Sequence, residues 1–339
     1  MKSRVLTFQE FARQAGCMSE PANVVRLEEV EIPEPGPGEV LVRMRLAPVN
    51  PSDINILQGV YGDLPRLPAV GGKEGAGRIE ALGPGVTDLQ VGDNVAADAE
   101  LGSWREWAVV PARRVLRLPA GLEPEQAATI FVNPSTAYRM LHDAVELQPG
   151  DWVLQNGANS AVGLAVIEIA RHLGLKTINL VRRADERRAG LEALGADVVI
   201  EDDKQAHKAV AAAAGGAPLR LGLDCIGGDS SARLNRVLAE GGRHVVYGAM
   251  SKQGTLASAG SLIFKDVVVQ GYWVTRWYRQ AGREAVAAMW EELAGLMRAG
   301  KLKPAVEASY PLADYAAAIA RATESGRQGK ILFDCTQAG

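Results

Sequence analysis

Cysteine and histidine are scarce in this sequence, and their scarcity limits the disulfides and metal sites that it can form. The 339 residues include three cysteines and four histidines. Cys17, Cys225 and Cys335 are odd in number and far apart, which excludes a disulfide framework and a cysteine-ligated metal cluster. Scattered thiols of this kind are typical of a reducing compartment, and we expect a cytoplasmic protein.

Long apolar runs and an excess of positive charge are also absent. No apolar run reaches the length of a membrane span. Gln9, Glu10 and Arg13 follow Lys2 and Arg4 too closely for the apolar core of a secretion signal. The net charge of −3 argues against nucleic acid as the main partner. We expect neither a membrane nor a nucleic-acid partner, and a chain of this length is expected to form two domains.

The first third of the sequence contains segments in which apolar and polar residues alternate. Val40, Val42, Met44 and Leu46 share one face of a predicted strand, and arginines separate the last three. Turn signals are dense, with clusters of glycine, proline and aspartate at 33–38, 71–72, 83–85 and 92–93. This pattern predicts a small, antiparallel, barrel-like β domain.

From about Ala137 onwards, strand patterns alternate with Ala-rich helical patterns, which is typical of a doubly wound α/β sheet. The predicted strands are Trp152–Gln155, Thr177–Val181, Asp197–Ile200, Leu221–Cys225, His244–Tyr247 and Val267–Tyr272. The end of the chain adds a helix, a strand, a second helix and a second strand, predicted at Arg283–Ala299, Val306–Tyr310, Asp314–Ala322 and Lys330–Asp334.

The segment Asp151–Arg183 is the most informative part of the sequence, because it reads as strand, small-residue turn, helix and strand. Gly157 and Gly163 fit the outer positions of the dinucleotide-binding glycine pattern, and Ser160 stands at the middle position. Small side chains let the backbone approach a pyrophosphate at the helix N-terminus. The alternative is an ordinary crossover in an α/β domain.

Arg182 and Arg183 end the second strand of this unit, where an NAD enzyme usually carries an acid. Guanidinium groups offer paired donors to a 2′-phosphate, and each charged hydrogen bond is worth roughly 1.5–3 kcal/mol. The sequence therefore predicts NADPH as the cofactor. The alternative is a solvated basic run that continues through Arg187 and Arg188.

Several longer segments resemble the medium-chain dehydrogenase/reductase superfamily, and within it the 2-enoyl thioester reductases of the mitochondrial enoyl-ACP reductase type. They are Asn50–Gly62, Leu67–Gly75, Val132–Leu141, Gln155–Gly163 and Leu262–Asp266. The resemblance implies an α/β protein in which a GroES-like β-barrel catalytic domain (1–135) precedes a Rossmann domain (136–278). The Rossmann domain would contain a doubly wound, parallel, six-stranded sheet and bind NADPH, and 279–339 would return to the catalytic domain.

The same superfamily contains zinc alcohol dehydrogenases, whose catalytic zinc would require cysteine at Asn50 and histidine at Asn55 or Lys73. Asparagine amides and a lysine ammonium are poor zinc ligands. The four-cysteine structural zinc loop is also missing, and His142, His172, His207 and His244 are scattered. We expect no metal.

Reduction of a polarised C=C bond needs no metal, because hydrogen-bond donors at the carbonyl and one proton source suffice. The resemblance places the catalytic tyrosine at Tyr61, in a loop flanked by Gly59 and Gly62. A phenol with an ordinary pKa of about 10 stays protonated at neutral pH and can donate to a developing enolate. The alternative is a loop tyrosine that packs over Leu57 or Leu64.

The resemblance also implies a set of cofactor contacts at the phosphate turn, at the 2′-phosphate and at the carboxyl ends of two later strands. They are Asn133, Asn159, Ser160, Ala161, Val162, Arg182, Arg183, Ala184, Tyr247, Gly248, Ala249, Met250, Tyr272, Trp273, Val274, Thr275 and Lys330. Ala184 falls where an enoyl reductase carries a further basic residue in some cases. Plain packing is the alternative for Trp273 and Trp277.

These observations predict an NADPH-dependent reductase of trans-2-enoyl thioesters carried on CoA or acyl carrier protein. A quinone or alkenal reductase on the same scaffold is the first alternative, because fold similarity does not settle substrate preference. A non-catalytic NADPH-binding protein is the second alternative. We expect a homodimer, because the sixth strand is the usual pairing edge in the superfamily.

Overall fold

A computed structural model of the chain describes residues 1–97 and 101–337, which fold as two compact units. Unit 1 consists of Met1–Val132, Ala281–Arg298 and Lys303–Gly339. Unit 2 consists of Asn133–Gln280 and Ala299–Leu302. The chain therefore begins in unit 1, passes through unit 2 and ends in unit 1.

The strands are numbered in chain order. They are β1 Lys2–Phe8, β2 Val25–Glu31, β3 Glu39–Pro48, β4 Ala69–Val70, β5 Ala76–Leu82, β6 Asn94–Ala97, β7 Trp107–Pro111, β8 Val115–Arg117, β9 Trp152–Asn156, β10 Lys176–Val181, β11 Val198–Glu201, β12 Leu221–Asp224, β13 Arg243–Val246, β14 Val268–Gly271, β15 Val306–Pro311 and β16 Lys330–Asp334. The predicted strands of the second half lie within one residue of the observed ends and are confirmed.

The helices are also numbered in chain order. They are α1 Ala12–Ala15, α2 Pro51–Gln58, α3 Pro124–Thr129, α4 Asn133–Asp143, α5 Ala161–His172, α6 Ala184–Leu194, α7 Ala206–Ala214, α8 Gly228–Val237, α9 Ala259–Phe264, α10 Val274–Gln280, α11 Arg283–Arg298 and α12 Tyr315–Thr323. Short 3₁₀ turns occupy Pro21–Val24, Ala112–Arg114 and Leu312–Asp314. Within residues 1–97 and 101–337, the helices are too short or too polar to cross a bilayer.

Strand β3 is central to unit 1, and its alternating sequence explains why. Val40, Val42, Met44 and Leu46 are buried, and the arginines between them are exposed. The apolar face therefore packs into the core while the backbone pairs antiparallel with β5 and β7, as the period of two predicts. The sheet order is β15-β16-β3-β5-β6-β8, and a second sheet has the order β2-β1-β4.

The last strand of the chain joins this sheet. Strand β16 pairs antiparallel with β3, with Leu332 opposite Pro48 and Asp334 opposite Leu46. Ile331, Leu332 and Phe333 are buried, so the C-terminal strand contributes to the core of unit 1. This pairing also brings Lys330 into the interior of unit 1.

Unit 2 is built on a six-stranded parallel sheet with the order β11-β10-β9-β12-β13-β14. This is the Rossmann order. From β9 the chain first adds β10 and β11 on one side of the sheet and then crosses over to add β12, β13 and β14 on the other side. Val153 and Leu154 of β9 are fully buried, and so are Val166 and Ile167 of α5. The carboxyl ends of the strands all meet at one edge of the sheet, where such folds bind ligands.

Candidate functional site

The turn after β9 is shaped by two glycines. Gly157 has a left-handed φ of 57°, and an added Cβ there would lie 2.5 Å from the Sγ of Cys225. An added Cβ at Gly163, in the first turn of α5, would lie 2.6 Å from the carbonyl oxygen of Ala158. Only glycine fits both positions, so α5 begins tightly against β9 and presents its first N–H groups at the turn. This arrangement fits the pyrophosphate of a dinucleotide.

Ser160 has a structural role that the sequence analysis missed. Its Oγ accepts a hydrogen bond from the N–H of Gly163 at 3.1 Å, which makes Ser160 the N-cap of α5. An N-cap serine satisfies one of the donors that a helix start leaves without an intrahelical partner. This role explains how serine can stand at the middle position of the glycine pattern. A serine directly before a helical apolar run was the available signal.

The predicted cofactor segments of unit 2 lie at the carboxyl edge of one sheet. Asn159–Val162 follow β9, Arg182–Ala184 follow β10, Tyr247–Met250 follow β13 and Tyr272–Thr275 follow β14. Asn133 is the first residue of α4, in the same unit, and is buried. The structure therefore brings these segments to the edge where ligand binding is expected. Their individual contacts with a cofactor stay predictions.

The two arginines after β10 are exposed, and an acid on the next strand fixes the backbone at Arg183 and Ala184. Glu201, at the end of β11, accepts hydrogen bonds from the N–H groups of Arg183 and Ala184, at 3.0 and 2.6 Å. Arg183 adopts a left-handed φ of 57°, and its guanidinium lies 3.3 Å from the Glu186 carboxylate. Glu201 shapes the turn that presents both arginines, and nothing near it in the sequence indicated this contact.

Arg188, further along α6, is arranged differently from Arg182 and Arg183. Arg188 donates from its guanidinium to the carbonyl oxygen of Val199 at 2.8 Å and lies near Asp185 and Glu192. Arg188 therefore braces α6 against β11, whereas Arg182 and Arg183 extend from the end of β10. Arg188 thus has a packing role, whereas Arg182 and Arg183 are exposed at the end of β10. This difference favours a separate function for Arg182 and Arg183.

A buried polar network stabilises the loops beneath the turn. The side-chain amide of Asn156 donates to Asp224 at 2.7 Å and to Ser230 at 2.9 Å, and its oxygen accepts from the N–H of Cys225 at 2.8 Å. Asp224 also lies 3.1 Å from the Nε2 of His244. Burial acts to raise the pKa of Asp224, but hydrogen bonds from His244, Gly227 and Asn156 outweigh it and lower the pKa to about 2.

Cys225 and Tyr247 are packed within the same region. Burial raises the pKa of the Cys225 thiol to about 12, so the thiol stays protonated and is not a reactive nucleophile at neutral pH. The hydroxyl of Tyr247 is buried beside Cys225 and Ser160. Its predicted contact with the cofactor stays a prediction.

The aromatic residues after β14 have partners within unit 2. The hydroxyl of Tyr272 donates to the Asp143 carboxylate at 3.4 Å, and burial raises the pKa of Tyr272. The guanidinium of Arg279 lies 5.2 Å from the ring centroid of Trp273. The guanidinium of Arg139 lies 4.6 Å from the ring centroid of Trp277. These contacts explain the packing of both tryptophans, and the cofactor contact of Trp273 stays a prediction.

Tyr61 lies in unit 1, just after α2. The helix ends at Gln58 and is capped by Gly59, whose φ is 76°. An added Cβ at Gly59 would lie 2.8 Å from the Cβ of Phe11. Tyr61 is half-buried against the apolar core of unit 1, and Leu64 packs against the same core. The ammonium of Lys73 lies 5.2 Å from the centroid of the Tyr61 ring. The tyrosine is thus both packed and close to a cation.

Four buried polar side chains lie at the start of α2, and we call them the ion cluster: Asn50, Asp53, Glu74 and Lys330. Each is at most 5% exposed. The amide nitrogen of Asn50 donates to Glu74 at 2.9 Å, and its oxygen accepts from the ammonium of Lys330. The backbone N–H of Asn50 donates to Asp53 at 2.7 Å. Asn50 therefore connects both carboxylates and the ammonium.

Burial shifts the proton affinities of all three ionisable groups in the ion cluster. It raises the pKa of Glu74 to about 7 and that of Asp53 to about 6, although the charge of Lys330 opposes both shifts. It lowers the pKa of Lys330 to about 8, although both carboxylates oppose this shift. Lys330 was predicted to reach the cofactor. The structure gives it partners inside unit 1, and the cofactor contact stays a prediction.

The side chains at and around Asn50 do not fit a catalytic zinc ion. The amide of Asn50 is held between Glu74 and Lys330, and the nearby ammonium groups would repel a divalent cation. Asn55 is exposed on α2. Within the described residues, no group of three or more His, Cys, Asp and Glu side chains is arranged to hold a metal.

Comparisons with known proteins agree with this architecture. The family described as alcohol dehydrogenase GroES-like domain matches residues 36–120, and the family described as zinc-binding dehydrogenase matches residues 161–294. Together with the sheet order of unit 2, these matches define the fold as a GroES-like β domain combined with a Rossmann domain. This is the fold of the medium-chain dehydrogenase/reductase superfamily.

Two relatives narrow the assignment. The human protein named enoyl-[acyl-carrier-protein] reductase, mitochondrial, is 44% identical over 309 residues, which cover 90% of this chain and 83% of the relative. The mitochondrial 2-enoyl thioester reductase Etr1p/Etr2p heterodimer from Candida tropicalis has a TM-score of 0.87 and 29% identity, covering 98% of this chain and 100% of that chain. The chain belongs to the mitochondrial-type enoyl-[acyl-carrier-protein] reductase family.

Two further solved structures bear on cofactor and substrate. The Etr1p/NADP/crotonyl-CoA complex has a TM-score of 0.88 and 29% identity, covering 98% of this chain and 100% of that chain. A putative NADPH:quinone reductase from Bacillus thuringiensis has a TM-score of 0.89 and 25% identity, covering 98% and 99%. Similar folds thus carry both descriptions, so the fold alone does not choose between enoyl thioester and quinone.

The predicted cytoplasmic location is wrong in light of these relatives. The human relative is named mitochondrial, and so is an Arabidopsis thaliana relative that is 39% identical and covers 97% of this chain and 87% of its own length. The prediction of a cytoplasmic location rested on the free cysteines, and there is a physical reason why it failed. Free thiols indicate a reducing environment, and they do not distinguish one reducing compartment from another.

The ion cluster generates a prediction about stability and pH. Because the pKa of Glu74 is raised from 4.5 to about 7, its contribution to stability is complete below about pH 4.5 and is lost as the pH rises through 7. Asp53 acts in the same direction. Glu74→Gln cannot ionise, so it should reduce the loss of unfolding free energy between pH 5 and pH 7.5 by about 1–3 kcal/mol, since one pKa unit is worth about 1.4 kcal/mol.

Urea unfolding at a series of pH values would measure this difference. Glu80→Gln, at an exposed position on β5, is the matched control and should follow the wild-type pH dependence. Equal pH dependence in wild type and Glu74→Gln would contradict the assigned ionisation of Glu74.

Proposed function

We propose that this protein reduces the C=C bond of trans-2-enoyl thioesters with NADPH. The observation that carries the proposal is the chemistry at two positions where zinc alcohol dehydrogenases need metal ligands. The amide of Asn50 stands at one and is held between Glu74 and Lys330, and the buried ammonium of Lys73 stands at the other. A site without a Lewis acid suits a substrate whose own carbonyl accepts the charge that develops. The 44% identity with an enoyl-[acyl-carrier-protein] reductase supports the same reaction.

The chemistry needs one hydride, one hydrogen-bond donor and one proton. NADPH would supply the hydride, which would add to C3 of the enoyl thioester. Negative charge would then develop on the thioester oxygen as an enolate, and C2 would take up a proton from water. Tyr61 donates its hydroxyl proton in a hydrogen bond to the developing enolate and is the catalytic residue of this proposal.

Unit 2 provides the residues that would hold NADPH. The turn Gly157–Gly163 receives the pyrophosphate at the start of α5. Arg182 and Arg183 bind the 2′-phosphate, beside Ala184. The remaining proposed contacts in unit 2 are Asn133, Tyr247, Gly248, Ala249, Met250, Tyr272, Trp273, Val274 and Thr275. Lys330 of unit 1 is a further proposed contact. In this proposal residues 136–278 form the NADPH-binding domain, and 1–135 with 279–339 form the catalytic domain.

Quinone or alkenal reduction is the alternative reaction. The putative NADPH:quinone reductase supports it through fold similarity at 25% identity. The enoyl thioester is favoured because the neighbouring Etr1p complex contains NADP and crotonyl-CoA, and because the curated relatives are named enoyl-[acyl-carrier-protein] reductase. The thioester carrier is CoA or acyl carrier protein, and both present the same conjugated carbonyl.

Replacement of Tyr61 by phenylalanine tests the catalytic role. Tyr61→Phe removes the hydroxyl and keeps the ring that packs against the core. We expect kcat with crotonyl-CoA to fall by about 10²–10⁴, the usual contribution of a positioned acid or base. The Kd of NADPH should remain within about twofold, because Tyr61 is not among the proposed cofactor contacts. Steady-state kinetics and fluorescence titration would measure both, and unchanged turnover would remove Tyr61 from the reaction.

Replacement of the two arginines tests cofactor selection. Arg182→Ala and Arg183→Ala each remove charged hydrogen bonds worth roughly 1.5–3 kcal/mol, so each should weaken NADPH binding by about tenfold or more. NADH binding should change little. Arg187→Ala, further along α6, is the control and should leave the ratio of the two affinities unchanged. An unchanged ratio in the double variant Arg182→Ala/Arg183→Ala would contradict the assigned 2′-phosphate pocket.

A homodimer through β14 is the proposed assembly. Strand β14 is an edge strand of the sheet in unit 2, and Val268 and Val269 are 38% and 36% exposed. The neighbouring helix α9 exposes Ile263 by 70% and Phe264 by 82%. An apolar edge strand of this kind is a template for pairing with another chain. A second copy of this chain offers the same edge and would bury both apolar surfaces.

Charge at this edge should therefore separate the subunits. Val269→Lys and Phe264→Glu together should convert a dimer into a monomer, because charged groups on an edge block pairing and oppose apolar burial. Sedimentation velocity would measure the change. Val30→Lys, on the exposed face of β2 in unit 1, is the control and should leave the dimer intact. A monomeric wild type, or a double variant that stays dimeric, would contradict this interface.

A further inference from the structure

Lys73 is a buried cation that packs against the proposed catalytic tyrosine. Its side chain is mostly inside unit 1, with the residue 9% exposed, and its ammonium lies 5.2 Å from the Tyr61 ring centroid. Burial of an ammonium is costly unless other groups compensate. The face of an aromatic ring attracts a cation at this distance, and more strongly when water is excluded.

Both ends of α2 help to set the contact between Lys73 and Tyr61. Asp53, in the first turn of α2, accepts a hydrogen bond from the backbone N–H of Lys73 at 2.9 Å. Asp53 is itself held by the N–H of Asn50 at 2.7 Å. At the other end of the helix, Gly59 turns the chain with a left-handed φ of 76°, and Tyr61 follows two residues later. One helix therefore sets the separation between the lysine backbone and the tyrosine.

The chain before Lys73 is equally constrained. A Cβ at either Gly71 or Gly72 would overlap the ring of Trp104. Trp104 is fully buried, and its indole N–H donates to the carbonyl oxygen of Pro48 at 3.2 Å. The segment that carries Lys73 is thus packed directly on a fixed aromatic ring. The position of the ammonium over Tyr61 results from built contacts on both sides.

We propose that Lys73 is a positioning residue that orients the Tyr61 ring and strengthens its hydroxyl as a hydrogen-bond donor. The cation attracts the electron density of the ring, which leaves the hydroxyl proton more positive. A more positive proton stabilises a developing enolate more than it stabilises a neutral carbonyl, so the effect appears in kcat. This inference rests on the proposed role of Tyr61 in the reduction of enoyl thioesters.

A purely structural role is the alternative, in which Lys73 only balances the charge of Asp53. The two roles differ in what happens when Tyr61 loses its hydroxyl. A residue that acts through the Tyr61 hydroxyl has nothing to act on in Tyr61→Phe. A residue that acts only on the fold has the same effect in either background.

A double-mutant cycle separates these roles. Lys73→Met and Lys73→Arg are measured with NADPH and crotonyl-CoA, each in the wild-type and the Tyr61→Phe background. We expect Lys73→Met to lower kcat by about tenfold with KM for NADPH unchanged, and Lys73→Arg to recover most of the loss because guanidinium also binds ring faces. In the Tyr61→Phe background, Lys73→Met should change kcat by less than about twofold.

The cycle includes one control variant and one substitute variant. Lys2→Met, at an exposed position on β1, should have wild-type kinetics. Lys73→Gln keeps a polar group in the interior and replaces Lys73→Met in the cycle if the latter does not fold by circular dichroism. Lys73→Gln should show the same loss of kcat and the same loss of coupling.

The possible failures are distinct. An equal loss of kcat from Lys73→Met in both backgrounds, or no loss in wild type while Tyr61→Phe is impaired, overturns the role of Lys73 and leaves the proposed function intact. Failure of Lys73→Arg to recover activity in a folded protein also overturns it. Wild-type turnover in Tyr61→Phe removes both the proposed donor and this inference.

Discussion

Burial of the Lys330 ammonium is the constraint on which unit 1 depends. An ammonium inside a protein must be matched by hydrogen bonds and opposite charge, and here Asn50, Glu74 and Asp53 provide them. Lys330 and Asn50 are 280 residues apart in sequence, so their contact requires the end of the chain to return to unit 1. Pairing of β16 with β3 achieves this return and delivers the lysine to the start of α2.

The same cluster links the stability of the fold to the proposed chemistry. Asn50 and Asp53 begin α2, and α2 ends beside Tyr61. Asp53 also holds the backbone of Lys73, whose ammonium faces the tyrosine ring. Asn50 and Asp53 therefore help to position Tyr61, the proposed hydrogen-bond donor. In unit 2 a second polar network, centred on Asp224, holds the loops at the edge where the cofactor is expected.

Local patterns in the sequence predicted the elements, because strand and helix periodicities are properties of neighbouring residues. The alternation of Val40, Val42 and Met44 identified the inward face of β3. Long-range contacts were not predictable in this way. Nothing near Lys330 indicated that its partner would be Asn50, and the lysine was assigned to the cofactor instead. Lys73 was considered only as a poor zinc ligand, since its contact with Tyr61 depends on how two separate loops pack.

The comparison of two substrates with NADPH tests the central claim most directly. The account holds that the protein, with an ammonium and an amide in place of metal ligands, saturates the activated double bond of an enoyl thioester. Steady-state NADPH oxidation should therefore give a higher kcat/KM with crotonyl-CoA than with 1,4-naphthoquinone, measured on the same purified protein. A kcat/KM for the quinone that equals or exceeds the value for crotonyl-CoA would contradict the account.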